Sequence, residues 1–100
     1  MERITRKMLE GLCDRINKMA GTPMDSWRTE GGRRTANVGN HHLDGAYGGW
    51  KIVRVVSDGG GITEVTTGYQ SKRDTWTAGR AYLEGMRAER ERATGNTVHG

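Results

Sequence analysis

The chain has no phenylalanine, one proline and one cysteine among its 100 residues, and the last shortage is the most restrictive. A lone Cys13 can form no internal disulfide and cannot supply the thiolate cage of a structural zinc site, so a reducing compartment fits best. No apolar run approaches the ~20 residues needed to cross a bilayer. The start, Met1-Glu2-Arg3-Ile4-Thr5-Arg6-Lys7, has none of the apolar stretch of a secretory leader. We therefore expect a cytoplasmic protein with no membrane contact. Hydrophobic residues make up only 33% and charged residues 28%, yet Ile, Val, Leu, Met and Trp fall in periodic segments, which argues for one small folded domain rather than disorder.

The formal net charge is +4, and its distribution matters more than its size. Residues 1–20 carry five bases and three acids, residues 21–71 five of each, and residues 72–100 six bases and four acids. The excess thus lies on the terminal segments. Twelve of the sixteen bases are arginine, which suits bidentate contacts to phosphate or carboxylate, although a GC-rich genome gives the same bias without any function.

Helical periodicity dominates the first segment. From about Thr5 to Ala20, Ile4, Met8, Leu12, Ile16 and Met19 recur at helical spacing, and Leu9 and Cys13 widen the stripe. Arg6, Glu10, Asp14 and Lys18 form a charged opposite face. Gly21-Thr22-Pro23 stops the helix, and Met24 to Gly32 reads as a connection in which Trp27 covers an edge of the core. From Arg34 the period becomes two, with Ala36 and Val38 alternating with polar residues. Trp50 to Val56 is a run of β-formers, and Ser57-Asp58-Gly59-Gly60-Gly61 turns it back into Ile62 to Thr67. Ser71-Lys72-Arg73-Asp74 opens the last helix as a variant capping box, with Trp76, Gly79, Leu83 and Met86 on its apolar face. The expected architecture is α+β: a two-layer αβββα domain over residues 1–93, a three-stranded antiparallel meander with both helices on one face, and a flexible tail over 94–100. The other sheet face would then expose apolar residues, favouring a homodimer or a bound partner.

The densest chemistry is Asn40-His41-His42-Leu43-Asp44-Gly45-Ala46-Tyr47-Gly48-Gly49-Trp50, with three glycines, two histidines and two aromatics in eleven residues. Glycine at this density suggests a tightly shaped hairpin end. Asn40, His42 and Asp44 would share a strand face and supply polar contacts, Tyr47 and Trp50 stacking area, and Gly45, Gly48 and Gly49 close approach. Catalysis is weighed and set aside: a carboxylate beside an imidazole orients a general base, but no nucleophile accompanies His42, so no catalytic residue is assigned. Neighbouring His41 and His42 point to opposite faces, which disfavours a metal site, and no HExxH spacing is present. The glycine clusters lead into strands rather than into a helix N-terminus, so neither a P-loop nor a dinucleotide fingerprint exists, and no cofactor is expected.

Two resemblances add to this reading. The αβββα order is similar to that of the double-stranded-RNA-binding domain, and Lys72, Arg73 and Arg80 would be its phosphate contacts; Trp76 stands where that family carries a further lysine. More of the chain, from about Thr35 to Met86 and most sharply the block Gly39 to Gly49 followed by Gly59-Gly60-Gly61, resembles a group of small bacteriophage and prophage proteins of unassigned function. That resemblance implies a viral accessory protein in a bacterial cytoplasm, blocking or sequestering a host component, and no catalytic residues. The expected function is a non-enzymatic binding protein that takes a host protein or small ligand at the hairpin end, with nucleic-acid binding as the alternative.

Overall fold

A computed structural model describes the backbone of residues 3–99 and the side chains of residues 3–93. Helix α1 spans Arg6–Ala20, strands β1 and β2 span Trp27–Glu30 and Arg33–Ala36, β3 spans His41–Ala46, β4 Gly49–Val55, β5 Ile62–Glu64, and helix α2 Lys72–His99. β1 and β2 form a two-stranded hairpin, and β3-β4-β5 form an antiparallel sheet in that order. The fold is α+β, with two helices on a three-stranded meander as the sequence predicts.

Both helices start and stop on the residues that favour it. The Thr5 side chain accepts the Met8 N–H at 3.1 Å, and Gly21 closes α1 in the left-handed region at φ 72. The Ser71 hydroxyl accepts the Asp74 N–H at 3.1 Å and so caps α2. The apolar stripe of α1 is buried: Leu9, Leu12, Cys13 and Ile16 are each at most 3% exposed. α1 packs on β3, α2 packs on β4, and the helices pack on each other around Leu12, Cys13, Ile16, Ile52 and Leu83. Gly79 sits where a side chain would strike the ends of Ile52 and Leu12 at 2.7 and 2.8 Å, so this glycine brings α2 down onto the sheet.

The strand positions differ from the sequence reading in three places. The alternating segment near Arg34 to Val38 is not the first strand of the meander; its Arg33–Ala36 part pairs with Trp27–Glu30, the segment read as a connection. Glycines 31 and 32, at φ 57 and 79, make that turn, and β1, wholly exposed, carries no inside-outside alternation to betray it. The first meander strand is instead His41–Ala46, inside the block read as a hairpin end. β5 ends at Glu64 rather than Thr67, because the Val65 and Thr66 N–H groups both turn to the Ile52 carbonyl.

Trp27 does not cover the core. Its ring lies against Gly60, where a Cβ would approach to 2.8 Å, and under the Arg34 guanidinium at 4.7 Å. Val53 and Val55 alternate with Ile52 and so point away from the helices, and they are buried, at 0% and 3% exposed, while Ile62, opposite Val55 on the same face, is 46% exposed. α2 continues to His99, through most of the segment read as a tail, with pairs such as Arg87–Glu91 and Arg92–Glu89 supporting its polar extension. Gly100 and the side chains of 94–99 lie outside the described residues.

Candidate functional site

The block from Asn40 to Trp50 folds as strand, two-residue turn, strand. Ala46 pairs with Gly49, Gly45 with Trp50, Asp44 with Lys51 and Leu43 with Ile52, leaving Tyr47 and Gly48 as the turn at φ 53 and 73. Two successive positive φ values are those of a type I′ turn, whose twist matches the strands.

Each glycine of the block then has a reason inside the molecule. A Cβ on Gly45 would lie 2.7 Å from the Trp50 ring, which crosses the strand over it, and one on Gly49 would lie 3.0–3.2 Å from Tyr69 and Gln70. That second approach exists because Trp50 and Gln70 exchange two backbone hydrogen bonds of 2.8 and 2.9 Å. Gly48 supplies the turn.

The predicted site residues fall on different sides of the hairpin. Toward the helices, Trp50 lies 5.7 Å from the Arg6 guanidinium, and a cleft of about 420 Å³ is lined by Arg6, Leu43, Gly45, Ala46, Gly48, Gly49 and Trp50. On the other face, the Tyr69 hydroxyl donates to Asp44 Oδ2 at 2.6 Å, Lys51 Nζ lies 4.4 Å from the Tyr69 ring and donates to Glu64 at 2.9 Å. The hydrogen bond to Asp44 holds the Tyr69 phenol above its ordinary pKa, so it stays a donor. The Tyr47 ring meets Tyr69 edge-on at 5.5 Å and projects from the tip, 95% exposed.

Asn40 and His42 form a separate group. Asn40 is fully buried; its Nδ2 donates to the Pro23 carbonyl, and its Oδ1 accepts from the Ser26 hydroxyl at 2.9 Å. That oxygen also lies 3.0 Å from His42 Nδ1. An amide oxygen can only accept, so His42 carries its proton on Nδ1. Asn40, His42 and Asp44 share a face as expected, but His42 is bonded to Asn40 and Asp44 to Tyr69, which gives no imidazole–carboxylate pair. Asn40 holds the connection from α1 in place and offers no free polar atom.

His41, on the helix side, anchors a second network. Asn17 Oδ1 accepts from the His41 N–H at 2.7 Å and lies 3.0 Å from His41 Nδ1, while Asn17 Nδ2 donates to the His41 carbonyl at 2.9 Å. The Thr22 hydroxyl also donates to Asn17 Oδ1 at 2.8 Å, and His41 Nε2 lies 3.4 Å from the Tyr82 hydroxyl. Burial above all, with Arg54 and His42 adding to it, pushes the His41 pKa below its ordinary value; burial lowers that of His42 as well, against the opposing pull of Asp44.

A lowered folded pKa means that the unfolded chain binds the proton more readily, so stability is present above about pH 6.5 and is lost as pH falls through the folded value. Urea unfolding at pH 7.5 and 5.5 should show the protein weaker at the acid end, by at most about 1.4 kcal/mol per pH unit for each histidine. His41→Gln should flatten the profile; an unchanged slope would place the titration elsewhere.

The residues of the nucleic-acid alternative all lie on α2. Lys72 and Arg73 lie on the exposed first turn of α2, while Arg80 lies two turns on, 5.8 Å from the Trp76 ring and 4.0 Å from Glu84. Among the described residues no group of His, Cys, Asp and Glu could hold a metal ion, and no helix is long and apolar enough to cross a membrane. Sequence reasoning missed Arg6, Glu64 and Tyr69, which reach the hairpin by tertiary packing and have no spacing relation to it, and Lys51, which lies on β4 directly opposite Asp44.

Comparison with protein-family models, curated proteins and solved structures finds no match to this chain.

Proposed function

We infer that this chain is a non-enzymatic binding protein whose β3–β4 hairpin end contacts a protein partner. The observation that supports the reading is Tyr47. At φ 53 it occupies a conformation that favours Asn, Asp or Gly and costs other residues on the order of 1 kcal/mol. Its ring, 95% exposed, recovers little of that from burial. A residue that strains the turn and barely contributes to the core is explained by contact outside the chain, and tyrosine is among the residues that dominate protein interfaces. Tyr69, Asp44 and Lys51 form an ordered platform beside it. With the resemblance of the Gly39–Gly49 block to phage proteins, the reading extends to a viral accessory protein that occupies a host component in the bacterial cytoplasm.

The test is capture from bacterial lysate by tagged wild-type and Tyr47→Asn protein, with and without nuclease. Asn suits the left-handed turn, so this variant should melt a few degrees higher, in line with about 1 kcal/mol of relieved strain. It should also lose a nuclease-resistant partner by about tenfold or more. Equal capture by both proteins, or none by the wild type, would overturn the reading.

A second reading, polyanion binding, draws on a groove of about 330 Å³ between the helices, lined by Arg15, Lys18, Arg87 and Arg90 against one acid, Glu84, over Met19 and Leu83. It requires nuclease-sensitive recovery that weakens steeply with salt.

A further inference from the structure

β3 is the outer strand of its sheet, and its free edge can be followed residue by residue. The two-residue turn makes Ala46 and Gly49 a hydrogen-bonded pair, so Asp44 and His42 also bond to β4, while Gly45, Leu43 and His41 turn their N–H and C=O groups outward. The His41 groups are taken by the Asn17 side chain, whose amide donates to one and accepts from the other as a neighbouring strand would. No comparable partner is found for Leu43 or Gly45 among the described residues. Natural edges are commonly guarded by lysine, proline, a bulge or a covering helix; here α1 packs on β3 and plugs its edge at His41, and no lysine, proline or bulge lies between that plug and the turn.

Clefts lie along that edge. One, described above, is floored by Trp50 at the hairpin end; another of about 310 Å³ is lined by Glu10, Asp14 and Met24 together with His42. Leu43 lines both. We propose that the β3 edge and its flanking clefts accept an extended basic peptide of a partner protein as an added strand, through the outward N–H and C=O groups of Leu43 and Gly45.

The charge around the edge selects this occupant. Of the described residues that line the two clefts, Glu10 and Asp14 on α1 are acidic and Arg6, paired with Glu10 at 3.4 Å, is the one arginine or lysine; Asp44 on β3 adds a further carboxylate beside them. The partner therefore carries lysine or arginine where its strand passes Glu10, Asp14 and Asp44, and an apolar residue facing Leu43 and Trp50. A second copy of this chain fits worse: the antiparallel register that uses both Leu43 and Gly45 would set Asp44 directly against Asp44, and like charges directly opposite repel.

The probe is an acetylated and amidated seven-residue peptide of alternating lysine and valine. Before it is added, the Leu43 and Gly45 amides should exchange with solvent much faster than those of His42 and Asp44. On binding, followed by fluorescence anisotropy and by NMR-detected exchange, those two amides should slow by about tenfold or more. The matched glutamate–valine peptide should bind at least about tenfold more weakly, and Glu10→Gln with Asp14→Asn should narrow that difference. No binding of the lysine peptide, binding that leaves the Leu43 and Gly45 amides unchanged, or equal binding of the glutamate peptide would each overturn the proposal. Neither edge residue is altered in Tyr47→Asn, so this result and the lysate capture stand or fall separately.

Discussion

Replacing Asn17 with leucine is expected to lower the unfolding free energy by about 4 kcal/mol, a large part of what a domain this size possesses. The two side chains are similar in volume, so the loss does not come from a cavity. It comes from the groups that the amide serves: the His41 N–H and carbonyl, the His41 ring and the Thr22 hydroxyl. Asn17 and His41 are 1% and 3% exposed, so water cannot replace the amide without opening the contact between α1 and β3, and each abandoned buried group costs about 1–3 kcal/mol. The shortfall should appear as a lower urea midpoint with the dependence on denaturant unchanged. A loss below about 1 kcal/mol would mean that the edge at His41 closes without the plug.

How much of this was legible beforehand can be argued residue by residue. The stripe from Leu9 to Ile16, the Thr5 start and the Gly21 stop are local signals, and α1 follows them; so does the Ser71 cap of α2. The run from Trp50 to Val56 is rich in β-formers, and β4 lies on it. β3 was hidden because histidine, aspartate and glycine are poor strand formers, and His41–Ala46 is held by pairing with β4 and by Asn17 rather than by its own preferences. β1 was hidden because a hairpin with one wholly exposed strand has no apolar alternation to show. The eleven-residue block stands out by composition alone, but its glycines answer to Trp50, to the Tyr69–Gln70 segment and to the turn. Tyr69 lies nineteen positions beyond Trp50 in the chain, and only the bridge between Trp50 and Gln70 brings it to Asp44.

That bridge makes Gly49→Val the most damaging change at the hairpin. The atoms nearest a new Cβ are Tyr69 Cβ at 3.0 Å, the Tyr69 carbonyl carbon at 3.1 Å and Gln70 N at 3.2 Å, and the two backbone atoms cannot swing aside as a side-chain end could. The Tyr69–Gln70 segment must lift away, which breaks the paired hydrogen bonds between Trp50 and Gln70 and strains the one from the Thr75 hydroxyl to the Trp50 carbonyl. Overpacking of this kind with lost backbone pairing should cost about 3 kcal/mol. Gly48→Asn should be close to neutral by comparison, because asparagine tolerates the left-handed turn and no atom lies within 4 Å of the Cβ it would add. The pair separates stability from recognition. Gly48→Asn leaves Tyr47 and the platform in place and should capture partner as the wild type does, whereas Gly49→Val displaces Tyr69 from Asp44 and Lys51 and should lose it even at temperatures where the variant stays folded. Retained capture by folded Gly49→Val would show that Tyr47 acts without Tyr69, and the contact surface would then shrink to the tip of the turn.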